Sequence, residues 1–222
     1  MIAEPLHLYE AVMPCAGGAA VVVTSAHRAR VLGCPSVFLL GAGEYVTHRA
    51  LSQAPALTVS PLAPAIADAY AAAGVGAPDI DLFSLYDSYT IMVGITLEDA
   101  GVCAKGDFGR LVEERDLSAH GDLPVNTHGG QLGCGQADLA GGMSHIVEAV
   151  RQLRGTAGER QVTNARLALV TGNGATMSEA CALVLGAADV GFEVVVVVPV
   201  VVDVVSVAPG TVAVAGVWGT KA

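Results

Sequence analysis

The chain has 222 residues, of which 53% are hydrophobic and only 14% charged, so it can form a buried core and lacks the composition of a disordered protein. Its formal net charge of −10 argues against nucleic acid or an anionic membrane surface as the main partner, because both require a basic surface. The five cysteines form no C-x-x-C pair and no signal peptide opens the chain, which predicts reduced thiols in a cytoplasmic protein and gives no pattern of a structural metal site.

Strands and helices alternate along most of the chain, which predicts an α/β domain with a mixed, mostly parallel sheet covered by helices. In chain order the predicted elements are strand 19–25, helix 26–32, strand 37–40, helix 61–73, strand 79–85, helix 88–100, helix 143–153 and strands 167–170 and 180–185. Ser25 is placed to cap the first helix, and Gly74 to end the second. The polar stretch 44–60 is long for a connection, and such loops tend to be functional.

The composition changes abruptly after Gly186, where a Val-rich stretch begins. This change predicts a domain over residues 1–186 and a β-prone extension over residues 187–222. The segment 192–218 is long enough for a membrane span, but prolines and acidic residues interrupt it and valine dominates over leucine. We therefore predict two or three strands turning at residues 208–210, and no membrane span.

Four blocks, at residues 2–30, 79–106, 123–155 and 167–186, resemble in the same order the C-terminal half of thiolases. Among thiolases, they are most similar to the sterol-carrier and lipid-transfer branch that includes steroid side-chain aldolases. The resemblance covers residues 1–186 and implies a thiolase-like half, which normally packs against a homologous N-terminal half that carries the nucleophilic cysteine. No block resembles that other half, so the family implies a chain that is not active alone.

The resemblance implies chemistry on acyl-CoA thioesters, with no resident cofactor and no metal. Carbon–carbon bond chemistry of this kind needs a nucleophile, a base and donors for a developing oxyanion. Gln136 stands where thiolases have the histidine of a Gly-His-Pro loop, and an amide can donate a hydrogen bond but takes up no proton at neutral pH. The second thiolase cysteine is expected at residues 171–174, where the sequence has none.

Tyr86 begins the sequence Tyr-Asp-Ser-Tyr, which resembles the aldolase branch. There the resemblance implies a tyrosine that transfers a proton during retro-aldol cleavage, although the second aldolase tyrosine corresponds to Gln136. His128 lies in a glycine-flanked loop, where an imidazole is suited to move protons near neutral pH. For Tyr86 and His128, a packing role stays open as the alternative.

The candidate catalytic residues are therefore Tyr86, His128 and Gln136, which an enzyme of this class would bring to one pocket. The candidate ligand-binding residues share the two glycine-rich loops, and they are Asn126, Gly129, Gly130, Cys134 and Gly174. Cys134 can be a packed residue or a nucleophile, whereas Cys181 is expected in the core because cysteine is so often buried. His145, beside the apolar face of the 143–153 helix, is expected to have a packing role.

Three functions stay open. The chain can be a thiolase-like acyl-CoA acyltransferase or lipid-transfer-type fragment, a non-catalytic binding or assembly subunit, or a retro-aldolase subunit that works with a partner. A thiolase half leaves exposed the apolar face that its sister half covers, which predicts a homodimer or pairing with an N-terminal half. The aldolase branch also implies a small partner with a zinc ribbon.

Overall fold

The computed structural model describes residues 1–33, 35–174, 177–188, 190 and 195–198. In this part of the chain, a mixed six-stranded sheet carries helices on both faces, which confirms the predicted α/β class. The strands are β1 (Val22–Thr24), β2 (Val37–Val46), β3 (Leu82–Ser84), β4 (Leu167–Gly174), β5 (Glu179–Ala187) and β6 (Val195–Val198). The helices are α1 (Ala26–Leu32), α2 (Leu62–Ala73), α3 (Thr90–Asp99), α4 (Phe108–Glu114), α5 (Gly130–Cys134) and α6 (Gly141–Leu153).

The strand order is β1-β6-β2-β5-β4-β3. Only β3 and β4 pair in parallel, and the other described pairings are antiparallel. The prediction of a mostly parallel sheet is therefore wrong, although the sheet is mixed. The connections explain this difference. Strand β4 is followed directly by its antiparallel neighbour β5, and β2 also pairs antiparallel with β5. Only the segment between β3 and β4 contains the helical crossover that a parallel pair requires.

Strand β2 is longer than the sequence predicted, because two glycines that suggested a turn lie inside it. A Cβ atom on Gly41 would overlap the backbone carbonyl of Ala69, and one on Gly43 would overlap that of Ala65. Helix α2 therefore lies directly against the strand at these two positions. Paired glycines, which often indicate a turn, instead allow close packing between helix and strand at this position.

The alternation of side chains along the strands divides the core between the two faces of the sheet. Phe83 and Leu169 point to the face covered by α2, α3 and α4. Their neighbours Leu82, Ala168 and Val170 point to the opposite face, which α6 covers with Val150 and Leu153 among others. Helix α6 was predicted by its apolar periodicity, and it begins two residues earlier than expected.

Several local predictions are confirmed. Ser25 caps α1 by accepting a hydrogen bond from the backbone N–H of Arg28, and Gly74 ends α2 in the left-handed conformation. Helix α4 was missed. In the Val-rich extension, residues 195–198 form β6 between β1 and β2, while the turn predicted at 208–210 lies outside the described residues. The boundary near residue 187 stays a prediction.

Candidate functional site

Asn126 holds the loop that carries Tyr86. Its Oδ1 accepts a hydrogen bond of 2.7 Å from the backbone N–H of Leu85, and its Nδ2 donates one of 2.9 Å to the carbonyl of the same residue. The backbone N–H of Tyr86 donates to Thr171 Oγ1 at 3.1 Å, which ties the loop to β4 as well. Asn126, predicted to bind ligand, therefore has a structural role, and its contact with a ligand stays a prediction.

The carboxylate of Asp87 organises the start of α5. Asp87 is 2% exposed and accepts the backbone N–H groups of Gln131 at 2.8 Å and Leu132 at 3.3 Å. Its Oδ1 also lies 3.2 Å from Nε2 of the fully buried His145. A Cβ atom on Gly130 would overlap this carboxylate, so the glycine predicted to bind ligand is required here for packing.

Helix α5 positions Gln136, which follows it in the chain, beside Tyr86. Gly135, which has a φ of 89°, caps the C-terminal end of the helix, and the backbone of Gln136 then pairs with the N-terminal segment through Met13 and Cys15. The Gln136 side chain donates a hydrogen bond of 3.0 Å from Nε2 to Tyr86 Oη. The two residues assigned to one site from the sequence are thus in direct contact.

Tyr86 and Gln136 line a cavity of about 400 Å³, called here the tyrosine cavity. Its walls are Glu44, Tyr86, Gln136, Asp138, Gly142, Gly172, Asn173, Gly174, Glu179, Ala180 and Cys181. Burial raises the pKa of Tyr86, the Gln136 hydrogen bond lowers it in part, and the negative charges of Asp87 and Asp138 raise it further. The predicted ligand residue Gly174 belongs to this cavity.

Two features of the tyrosine cavity differ from the expectations. Cys181 was expected in the core, but it is exposed. Its position in β5 directs the side chain away from α2 and toward the tyrosine cavity. Burial of the sulfur nevertheless raises the pKa of its thiol. Asn173, which the sequence did not single out as a site residue, has a buried Oδ1 with no hydrogen-bond partner among the described residues.

His128 and Cys134 line a different cavity of about 380 Å³, called here the histidine cavity. The sequence hypothesis of a single pocket for Tyr86, His128 and Gln136 is therefore not what the structure shows. The walls of the histidine cavity are Cys15, Gly18, Ala19, His128, Gly133, Cys134, Gly135, Ala137, Ala140, Gly141, Ser144, Val147, Glu148, Arg151 and Arg160. Gly129, a predicted ligand residue, directly follows His128 and has a φ of 97°, a backbone conformation that suits glycine.

Burial lowers the pKa of His128 to about 4, and the neighbouring His145 contributes to the shift. The two imidazole rings meet edge to face with their centroids 5.2 Å apart. Cys134 Sγ donates a hydrogen bond of 3.2 Å to the carbonyl of His128, and burial raises the pKa of its thiol. Near neutral pH, His128 is therefore a neutral imidazole and Cys134 a thiol.

A charged network that the sequence did not suggest closes one wall of the histidine cavity. The carboxylate of Glu148 is 1% exposed and receives hydrogen bonds from Arg160 at 3.0 Å, Thr127 at 2.7 Å and Gln152 at 3.1 Å. Burial alone would raise the pKa of Glu148, but these three donors outweigh it and lower that pKa. The available signal was an acidic residue inside the apolar run 147–150 of α6, because a carboxylate buried there needs partners.

Known proteins resemble this chain in sequence and in fold. Residues 43–187 match the family model described as thiolase C-terminal domain-like. A steroid side-chain-cleaving aldolase of Thermomonospora curvata is 36% identical over 191 residues, which are 84% of this chain and 47% of that protein. An acetyl-CoA acetyltransferase of Methanothermobacter thermautotrophicus is 32% identical over 177 residues, which are 79% of this chain and 46% of that protein. The solved structure titled Ltp2-ChsH2(DUF35) aldolase superposes with a TM-score of 0.73 at 30% identity, over 86% of this chain and 50% of that one.

The chain belongs to the family of thiolase C-terminal domain-like proteins. Within the thiolase superfamily, its relatives lie in the sterol-carrier and lipid-transfer branch, which confirms the resemblance inferred from the four sequence blocks. The chain spans about half the length of the curated relatives it matches. In its described residues, no helix is both long enough and apolar enough to cross a membrane.

Proposed function

We propose that this chain provides the proton-transfer wall of an acyl-CoA site, in which Tyr86 assists retro-aldol cleavage of a 3-hydroxyacyl thioester. The observation that carries the proposal is the hydrogen bond of 3.0 Å from Gln136 Nε2 to Tyr86 Oη. Burial raises the pKa of Tyr86, and an amide N–H that donates to the phenol oxygen works against this by stabilising the phenolate. The raised pKa keeps Tyr86 a phenol near neutral pH, and the Gln136 hydrogen bond stabilises the phenolate left after proton donation, so the pair suits Tyr86 to act as a general acid at the wall of the tyrosine cavity.

In the proposed reaction, a carboxylate of the tyrosine cavity takes the proton of the substrate's 3-hydroxyl group. The bond between C2 and C3 breaks, C3 becomes a carbonyl carbon, and the electron pair of that bond forms the enolate of the thioester. Tyr86 then donates its phenol proton to C2, which gives the shortened acyl thioester, and the proton held by the carboxylate restores the phenol, so protons and electrons balance. Three carboxylates line this cavity, on Glu44, Asp138 and Glu179, which favours a substrate end without negative charge.

The similarity of a steroid side-chain-cleaving aldolase supports this choice of reaction. The state of the cysteines also supports it over acyl transfer. Burial raises the pKa of the thiols of Cys134 and of Cys181, so neither is an available thiolate near neutral pH.

The test measures cleavage of a 3-hydroxyacyl-CoA by mass spectrometry of the shortened acyl-CoA. The chain is assayed alone and mixed with the part of the Thermomonospora curvata aldolase that it does not match. Loss of a general acid costs about 100-fold or more, so we expect Tyr86→Phe to slow the cleavage seen with wild type by at least that factor. Tyr89→Phe is the matched control, because Tyr89 is 46% exposed and should remain active. Equal rates for wild type and Tyr86→Phe would refute the proposal.

Acyl transfer is the second candidate, and the position of Cys181 favours it. Cys181 lines the tyrosine cavity together with Tyr86, and an acetyl-CoA acetyltransferase is among the similar proteins. If the chain transfers acyl groups through this thiol, incubation with acetyl-CoA adds one acetyl group to the intact mass. Cys181→Ser should remove that addition, and Cys103→Ser, which lies outside the cavity, should leave it.

The proposed activity includes a partner. Large apolar side chains are exposed on the N-terminal segment, including Tyr9 at 88% and Met1 at 75%, and exposed apolar surface of this kind commonly marks an interface. A homodimer, pairing with a thiolase N-terminal half and docking of a small zinc-ribbon protein are the three arrangements to separate. The solved aldolase that superposes on this chain is named for two components, Ltp2 and ChsH2, which supports a second polypeptide. Light scattering after size exclusion tests the homodimer, which a monomeric mass at high concentration would exclude.

A further inference from the structure

A chain of buried polar side chains lies behind the loop that carries Tyr86. Its members, Ser84, Asp87 and His145, are at most 2% exposed. Nε2 of His145 lies 3.2 Å from Asp87 Oδ1, and Nδ1 lies 3.3 Å from Ser84 Oγ. The sequence suggested a packing role for His145, but both of its ring nitrogens have polar neighbours.

These neighbours accept hydrogen at both ring nitrogens. Ser84 has a single hydroxyl hydrogen, and its Oγ lies closer to the carbonyl of His145, at 3.0 Å, than to Nδ1. When Ser84 donates to that carbonyl, its oxygen can only accept from Nδ1. At Nε2 the carboxylate of Asp87 offers lone pairs and no hydrogen, so this nitrogen carries a hydrogen as well. An imidazole with hydrogen on both nitrogens is positively charged.

The amide of Gln131 fits the same arrangement. Its side chain is fully buried, its Nε2 lies 3.4 Å from Nε2 of His145, and its Oε1 has no partner among the described residues. Two hydrogen donors repel each other, and an amide group can turn to exchange its oxygen and its nitrogen. Once the amide turns, the unpaired oxygen becomes an acceptor at Nε2 of His145.

The carboxylate of Asp87 offsets the cost of burying a charged imidazole. Asp87 accepts two backbone N–H groups at the start of α5, which favours its ionised form, and a buried charge needs a partner of opposite sign. Two more ionisable groups lie near His145. They are His128, whose pKa is lowered by burial and further by His145, and Glu148, which is one turn further along α6 and paired with Arg160.

Tyr86 is the functional group that this charged pair faces. The rings of Tyr86 and His145 are tilted, with their centroids 6.4 Å apart, and Asp87 directly follows Tyr86 in the chain. Burial raises the pKa of Tyr86, and the negative charge of Asp87 raises it further. A positive charge on His145 opposes this second effect, because it lies on the same side of the phenol as the carboxylate with which it pairs.

We propose that His145 is a positioning residue, a buried imidazolium that fixes Asp87 behind the Tyr86 loop and balances its charge at the phenol. This role rests on the proposed function of Tyr86 as a general acid, because a balanced charge eases loss of the phenol proton. His145 lines neither the tyrosine cavity nor the histidine cavity. It therefore acts through Asp87 and Tyr86 and not on the substrate.

The charge of His145 is tested by nitrogen NMR spectra of the whole chain with isotope-labelled histidine. The two ring nitrogens of an imidazolium have similar chemical shifts, whereas those of a neutral ring differ widely. We expect the imidazolium pattern for His145 near neutral pH. His128 is the neutral reference, because burial lowers its pKa to about 4. A neutral pattern for His145 would overturn the proposal, and this measurement requires only wild type.

The effect on Tyr86 is tested with difluorotyrosine in its place, since that phenol titrates near neutral pH and gives a fluorine NMR signal. His145→Gln leaves the charge of Asp87 unopposed, so the phenol should become a weaker acid. A unit charge 6.4 Å away changes an acid dissociation constant about threefold even at the dielectric constant of water, so we expect a decrease of about threefold or more. His120→Gln, an exposed histidine elsewhere, should titrate as wild type does.

A double variant separates the charge from the structure. His145→Gln combined with Asp87→Asn removes both charges, so the dissociation constant should return toward the wild-type value, whereas structural damage from two substitutions would not be repaired. Circular dichroism confirms that each variant folds. The proposal fails if folded His145→Gln titrates as wild type, or if the double variant titrates as the single one. No titration needs substrate, so a failed cleavage assay leaves this result standing, and a failed titration leaves the cleavage assay to decide the proposed function.

Discussion

The neutral state of His128 makes the stability of the protein depend on pH. Burial lowers the pKa of His128 from its ordinary value of 6.5 to about 4. Between these two values the unfolded chain binds more protons than the folded chain at this residue, so acid favours unfolding. The stability that the neutral His128 gives the folded state is fully present above about pH 6.5 and is lost as the pH falls toward about 4. At 1.36 kcal/mol per pKa unit, the lost free energy of unfolding amounts to about 3 kcal/mol.

The assay compares urea denaturation curves of wild type and His128→Gln at several pH values from 7 to 4, followed by circular dichroism. Glutamine does not titrate, so the difference in unfolding free energy between the two proteins isolates His128. We expect wild type to lose about 3 kcal/mol relative to the variant across this range. His120→Gln is the control and should follow the wild-type curve. The charges of His145, Glu148, Asp87 and Arg160 also act on the pKa of His128, and these four residues are unchanged in both proteins.

Two outcomes would refute this reasoning. In the first, the difference between wild type and His128→Gln stays constant from pH 7 to pH 4. In the second, NMR titration of the folded protein shows the His128 ring protonating near pH 6.5. Either result would mean that the imidazole is solvated in solution, and the account of its buried, unpaired nitrogens would fail.

The remaining predictions concern packing and the support of the site. Gly43→Ala should lower the unfolding free energy by about 2 kcal/mol or more in denaturation curves, because the new methyl group overlaps the Ala65 carbonyl. Gly18→Ala is the control and should have little effect, because no atom lies within 4 Å of the added methyl group. Asp87→Asn should lower it by about 2 kcal/mol, because two backbone N–H groups at Gln131 and its neighbour lose a charged acceptor. A stable Asp87→Asn protein would contradict the anchoring role assigned to this carboxylate.

Local features of the sequence predicted the helices well. The cap at Ser25, the left-handed end at Gly74 and the apolar stripe of α6 each depend on residues close in sequence, so they could be inferred without knowledge of the fold. The seven-residue helix α4 was missed because it is too short to show a periodic pattern. Strand direction depends on contacts between distant segments, which is why the antiparallel majority in the sheet was not predicted.

The candidate site was predicted in part for the same reason. The family resemblance assigned Tyr86 and Gln136 to one site, and their side chains are hydrogen-bonded. His128 was assigned to that site as well, but it lines the histidine cavity, to which Cys15 of the N-terminal segment also contributes. That segment pairs with Gln136 through its backbone, and backbone pairing leaves no signal in side-chain types.

The place of β6 in the sheet has a consequence for biosynthesis. The short strand β1 near the start of the chain pairs with β6, and β6 separates it from β2. During translation β1 therefore emerges long before its partner strand, and it can join the sheet only after residue 198 has left the ribosome. Until then β2 is an open sheet edge, which can pair with another chain. Nascent chains of this protein should consequently need protection, by a chaperone or by a partner subunit, at the stage when β2 and β5 have formed and β6 has not.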